Sequence, residues 1–151
     1  MSESAAHKRL VLATAGLIAR RYPSMSVQTD IQEAPGDEIP NLIGNHRPDI
    51  VARPPLPSMD IIIAEAKTAG DVNRRHTLSQ VETFVNYLRS RRIGDSTFIL
   101  AVSGAPTVRE ARSLLRYTCR SYVSSRLDVQ IFDGLDLWAL GGPREDLWLL
   151  C

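Results

Sequence analysis

At 151 residues, with 44% hydrophobic and 23% charged residues, the chain reads as one domain over 1–151, large enough to bury a core without disulfide staples. A formal net charge of +1 excludes a strongly basic or acidic chain, although a local basic patch is still enough to hold nucleic acid. Cys119 and Cys151 make neither a disulfide framework nor a metal-ligand spacing, and no apolar run approaches the roughly 18 residues of a membrane span. The opening "MSESAAHKRL" carries no signal-peptide pattern, so a cytoplasmic protein with no membrane partner is expected.

In chain order, His7–Tyr22 places Leu10, Ala13, Leu17 and Ile18 at helical spacing, and Pro23 stops the helix. "SVQTDIQ" (26–32) alternates weakly as a short strand, and "EAPGDEIPNLIGNH" is turn-rich. Two strands, "PDIVA" and "MDIIIAEAK", flank the proline-rich "RPPLPS", which neither a helix nor a regular strand accepts; a hairpin with a loose loop follows. A helix is expected from about Leu78 to Arg91, with Leu78, Val81, Val85 and Leu88 on one face. "STFILAV" is a buried strand, "APTVREARSLLRYTCRSYVSS" a second long helix, and "DVQIFDG" and "LDLWAL" are further strands. The order predicts an α/β fold, a mixed β-sheet flanked by α-helices.

The hairpin concentrates chemistry. Asp49 stands sixteen positions before Glu65, and Lys67 follows two residues later. If paired residue numbers sum to roughly 114, Asp49 lies opposite Glu65 on one face, with Cβ atoms about 5 Å apart. Lys67 shares that face by strand alternation, whereas Ala64 and Ala66 point the other way and admit a helix close behind. Two close carboxylates repel unless a cation neutralises them, and an all-oxygen pair suits magnesium, with manganese able to substitute. Such an ion polarises a phosphoryl oxygen and activates water, while Lys67 orients that water or stabilises charge on the phosphate.

"RPDIVA" followed by "IIIAEAKT" resembles the Pro-Asp and Glu-x-Lys elements of the PD-(D/E)xK nuclease superfamily, whose fold is restriction-endonuclease-like. The segment "EAKTAGDVNRRHTLSQVETFVNYLR" is similar to its VRR-NUC branch, and Holliday-junction resolvases share the core. The resemblance covers residues 47 to 92. It implies a magnesium-dependent endonuclease that hydrolyses phosphodiester bonds in DNA, with RNA left open, by metal-activated water. Asp49 and Glu65 would be metal ligands, Lys67 the catalytic lysine and Gln80 an accessory catalytic residue. One departure stands out: many members carry an acid on the first helix, and "HKRLVLATAGLIARRY" has none, with Glu3 before it and Asp30 and Glu33 after it. The rival is a catalytically inactive nucleic-acid-binding or assembly module on the same fold, which would have no need of all three of Asp49, Glu65 and Lys67.

Other residues have ordinary readings beside functional ones. Thr77-Leu-Ser-Gln80 fits a helix capping box, with Ser79-Gln-Val-Glu82 as its competitor, so capping is as good an account of Gln80 as catalysis. Arg109, Arg112, Arg116 and Arg120 form a helical stripe that reads first as a solvated face beside Ala111, Leu114, Leu115 and Tyr122. Arg74, Arg75 and Arg89, with Arg91 and Arg92, flank the helix after the motif and are better candidates for nucleic-acid contacts. His46 and His76 read as separate surface histidines. Trp138 and Trp148 fill the core or make a homodimer surface. There is no "GxxxxGK" loop and no "GxSxG" elbow.

Overall fold

A computed structural model describes residues 4–32, 34–72, 74–119, 127–135 and 137–139. The elements run α1 (Ala5–Arg21), β1 (Ser26–Thr29), β2 (Ile50–Arg53), β3 (Ile61–Lys67), α2 (Arg75–Ser90), β4 (Ser96–Val102), α3 (Ala105–Cys119), β5 (Leu127–Phe132) and β6 (Leu137–Ala139). The six strands form one sheet in sequence order. β1, β2 and β3 are antiparallel neighbours, β3–β4 and β4–β5 are parallel, and β6 returns antiparallel. The chain is therefore α/β with a mixed sheet. Each parallel step is bridged by a helix, α2 and then α3, because parallel neighbours need a crossover.

The central strands read as continuous apolar runs because both their faces are covered. Ile61, Ile63, Phe98, Leu100, Val129 and Ile131 face α2 and α3 in one core. Ile50, Ile62, Ala64, Ala66, Ile99 and Ala101 face α1 in the other. The small Ala64 and Ala66 do lie on the α1 side.

Three sequence expectations shift. The buried stripe of α1 is Leu10, Val11, Thr14 and Ile18, with Leu17 half-buried against the same core and Ala13 exposed instead. Thr14 enters that core at no polar cost, since its hydroxyl donates to the Leu10 carbonyl at 2.7 Å. α2 begins at Arg75, three residues before the expected Leu78, and buries Thr77, Gln80, Val81, Phe84, Val85 and Leu88. β1 ends at Thr29, which leaves Asp30 just beyond the strand.

At the end of the sheet where β3 starts, Gly94 packs its Cα against the connector before β3. It has φ +81°, and a Cβ there would lie 2.3 Å from the Met59 carbonyl oxygen. Arg91 donates to that same oxygen at 2.5 Å, and the Asp95 amide donates to Asp60 Oδ1 at 2.8 Å. Arg91 thus ties the far end of α2 to the connector, well away from the Glu65–Lys67 end of β3. Arg120, Tyr122, Trp148 and Cys151 lie outside the described residues, as do the side chains of Cys119 and Trp138. Among the described residues no helix is long and apolar enough to cross a membrane.

Candidate active site

The antiparallel register of β2 and β3 pairs Ile50 with Ala64 and Val51 with Ile63, residue numbers summing to 114. One step further, Asp49 faces Glu65. The next partner of Ala66 would be Pro48, which has no amide hydrogen to give, so the ladder cannot continue. Instead the Asp49 side chain turns back, and its Oδ2 accepts the Ala66 amide hydrogen at 2.8 Å. The Pro-Asp pair thereby ends the strand and aims a carboxylate at the end of β3.

A third carboxylate joins the row. β1 pairs with β2 through Thr29 and Ile50, so Asp30 falls opposite Asp49, and the Asp30 amide donates to the Asp49 carbonyl at 2.9 Å. The register thus sets the Asp30 side chain beside that of Asp49. Asp30, Asp49 and Glu65 therefore lie side by side across three neighbouring strands. His7, near the start of α1, places Nε2 3.5 Å from Asp49 Oδ1. Neither His7 nor Asp30 emerged as a site residue from the sequence. The signal for Asp30 is the β1–β2 register, which the turn-rich stretch between those strands conceals.

Burial divides the carboxylates chemically. Glu65 is 2% exposed and its Oε2 has no hydrogen-bond partner. Burial first, then the neighbouring charge of Asp49 and a hydrogen bond to it, hold the Glu65 pKa well above its ordinary value, against the opposing pull of Lys67. Burial also presses on Asp49. Hydrogen bonding to its carboxylate, with the His7 ring first and then Glu65 and the Ala66 amide, outweighs it and brings Asp49 down to about 2. Two ionised carboxylates would face each other as acceptors only. With Glu65 protonated, the contact becomes a hydrogen bond that Glu65 donates to an ionised Asp49.

Lys67 stands 4.0 Å from Glu65 Oε1, and its ammonium donates to Gln80 Oε1 at 2.5 Å. Gln80 is therefore no capping residue. The N-cap of α2 is Arg74, with no side-chain cap bond, and the Thr77 hydroxyl donates to the Asp71 carbonyl instead. Helix entry at Arg75 turns Gln80 onto the buried face, toward β3.

The arginines divide along α2. Arg74 pairs with Asp71 at 3.1 Å and donates to the Gly70 carbonyl at 3.0 Å, while Arg75 is exposed on the first turn, at the site end. Arg89 sits on the last turn, nine residues past Gln80, about 14 Å further along the axis at 1.5 Å per residue. Arg109 and Arg116 on α3 are exposed and Arg112 is half-buried. His46 and His76, expected as separate surface residues, meet edge to face with ring centroids 5.4 Å apart.

Among the described residues, no three or more His, Cys, Asp and Glu side chains are grouped so as to hold a metal ion. The Asp49–Glu65 pair still suits a hard cation in its donor chemistry: both groups offer oxygen, and Glu65 Oε2 is buried without a partner. Magnesium commonly takes one or two protein carboxylates and fills its other positions with water and substrate phosphate. Comparison of the chain with protein-family models, curated proteins and solved structures returned no match.

Proposed function

We propose that the protein is a magnesium-dependent nuclease of the PD-(D/E)xK type, with a restriction-endonuclease-like fold, hydrolysing phosphodiester bonds in DNA. The observation that carries this reading is the buried carboxylate pair at the end of β3, with a lysine held beside it by Gln80. A strand that ended at the surface for solubility would not bury Glu65 to 2% and leave an oxygen without a donor. The location also suits a ligand: open α/β sheets bind at the carboxyl ends of their strands, here β3 and β4 beside the start of α2.

In this reading Asp49 and Glu65 hold the ion, which when bound supplies Lewis-acid polarisation of the phosphoryl group and lowers the pKa of a coordinated water. Asp49 is kept ionised and oriented by the Ala66 amide. Glu65 would hold the ion only as a carboxylate, so its proton would have to leave. Lys67 points its ammonium at charge developing on the phosphate, and Gln80 fixes that ammonium in place. Water adds across a P–O ester bond, hydroxyl to phosphorus and proton to the leaving oxygen, giving a phosphomonoester and an alcohol.

The test is incubation of the protein with duplex, single-stranded, flapped and branched DNA, with magnesium or with excess EDTA. Cleavage is expected in magnesium or manganese and absent in chelator. Undiminished cleavage in EDTA, or no cleavage of any substrate alongside no magnesium binding by calorimetry, overturns the proposal.

A further inference from the structure

Next to the carboxylates, the rim of the site has a half that the hydrolytic scheme does not use. His46, on the turn before β2, and His76, in the first turn of α2, cross at 70° with ring centroids 5.4 Å apart. His46 Nε2 lies 3.2 Å from Ser79 Oγ, and its ring rests edge-on against Phe84. Ser79 adjoins Gln80, the residue that accepts from Lys67. His76 and Ser79 are exposed and His46 is half-buried, so these groups are open to a ligand.

The charges acting on His46 are those of His76, on α2, and Lys67, on β3. Burial, His76 and Lys67, in that order, lower its pKa from 6.5. Packing the turn onto α2 explains one aromatic ring on Phe84. It does not explain two ionisable rings set against each other one helix turn from the Gln80 that holds the Lys67 ammonium, because that arrangement accumulates like charge. An anion at the exposed edge of the pair removes the conflict and can accept from imidazolium N–H groups.

We infer that His46 and His76, with Lys67, form an anion subsite that takes a phosphodiester of a nucleic-acid strand, adjacent to the one over the carboxylates. The identity of the ligand as a nucleic-acid strand rests on the proposed nuclease reading; the anion chemistry does not. A phosphodiester there favours the imidazolium forms, so binding raises both imidazole pKa values, and affinity increases as pH falls.

The chain has three histidines, so the imidazole signals are separable by NMR, with His46→Gln and His76→Gln as assignment variants. The pH titration is run in EDTA, without cleavage, in three arms: protein alone, with inorganic phosphate, and with a short thymidine oligonucleotide. Oligonucleotide is expected to raise the His46 and His76 pKa values by about half a unit or more. The double variant is expected to bind it about tenfold more weakly with a shallower salt dependence, and His46→Arg with His76→Arg to restore binding. Unmoved titrations in both ligand arms overturn the subsite, and a shift with inorganic phosphate alone overturns its assignment to a strand. Shifted histidines without magnesium-dependent cleavage of any DNA sink the nuclease reading and leave the anion subsite standing. Cleavage with unshifted histidines does the reverse.

Discussion

Lys67 Nζ donates to Gln80 Oε1 at 2.5 Å while standing 4.0 Å from the nearer oxygen of Glu65, so the closest partner of the ammonium is an amide and not a carboxylate. The amide holds the lysine without neutralising it, and Gln80 is itself anchored on the buried face of α2. Gln80 then acts as a positioning residue. Gln80→Ala is expected to lower the single-turnover cleavage rate by about tenfold, the lower end of the cost of losing a group that orients a functional side chain. Addition of Gln80→Ala to Lys67→Met should cost nothing more, and full additivity of the two losses would show that Gln80 acts elsewhere.

The two buried carboxylates should respond oppositely to neutralisation in metal-free protein. The folded pKa of Glu65 is raised, so its contribution is fully present below the unfolded value of 4.5 and is lost as pH rises toward the folded pKa. Glu65→Gln should therefore be more stable than the wild type at pH 7, with the gap closing near pH 4. Asp49 is depressed from 3.8 to about 2, so its contribution is present above 3.8 and is lost as pH falls through about 2. Asp49→Asn should be less stable at pH 7 by roughly 1–3 kcal/mol, the scale for weakening hydrogen bonds to a buried charge. Urea unfolding in EDTA at pH 7 and pH 4 measures both, and equal shifts of the same sign would contradict the division of charge between them.

Magnesium binding should expel the proton on Glu65. Below the raised Glu65 pKa, apparent affinity is expected to fall about tenfold per pH unit, with about one proton released per ion bound. Calorimetry in two buffers of different ionisation enthalpy, repeated from pH 5 upward, reads the proton count directly. A binding enthalpy independent of the buffer would mean that Glu65 is already ionised, or that it is not a ligand.

Much of this architecture was legible in the sequence because the apolar pattern is strong where both faces are covered. "STFILAV" maps onto β4 without change, and "DIIIAEAK" contains β3. The hairpin register could be assumed from the spacing of Asp49 and Glu65, and the pairing sums to the same 114. Gln80 was ambiguous because Thr77 and Ser79 both imitate an N-cap. The earlier helix start was concealed by Arg74, which caps through its backbone conformation alone. Asp30 and the His46–His76 contact were illegible for a different reason. Each depends on how the irregular stretch after β1 folds back, and turn-rich sequence carries no periodicity from which to place it.

The far end of the sheet offers a control on fold as distinct from chemistry. Gly94→Ala would require an alanine at φ +81° and a Cβ 2.3 Å from the Met59 carbonyl oxygen, a backbone atom that cannot rotate away. Gly36→Ala faces a similar φ of +91° with nothing within 4 Å, so it isolates the conformational cost. Gly36→Ala should cost about 1 kcal/mol and Gly94→Ala roughly 2 kcal/mol or more. Thermal and urea unfolding compare them, and equal costs would mean that the connector yields freely.

Lys67 is where a functional lysine and a strand-end charge can be told apart. Lys67→Met keeps most of the stem volume, so β3 should retain its packing, and a lysine that merely closes the strand would leave cleavage nearly unaffected. A lysine that stabilises charge on the phosphate contributes on the scale of one preorganised electrostatic contact, and its loss should slow cleavage by about two to three orders of magnitude. Once Glu65 is ionised, at high pH, magnesium affinity should not fall, since the ammonium 4.0 Å from Glu65 competes with the cation for the same carboxylate. The geometry adds a second readout: removing the ammonium takes away the one influence that lowers the Glu65 pKa, so metal binding by Lys67→Met should move to higher pH. The paired measurement is single-turnover cleavage and magnesium calorimetry across pH, on wild type and Lys67→Met. A large rate loss with retained metal binding fits the nuclease chemistry. An unchanged rate would reduce Lys67 to a solvated strand end and remove the main support for hydrolysis at this site.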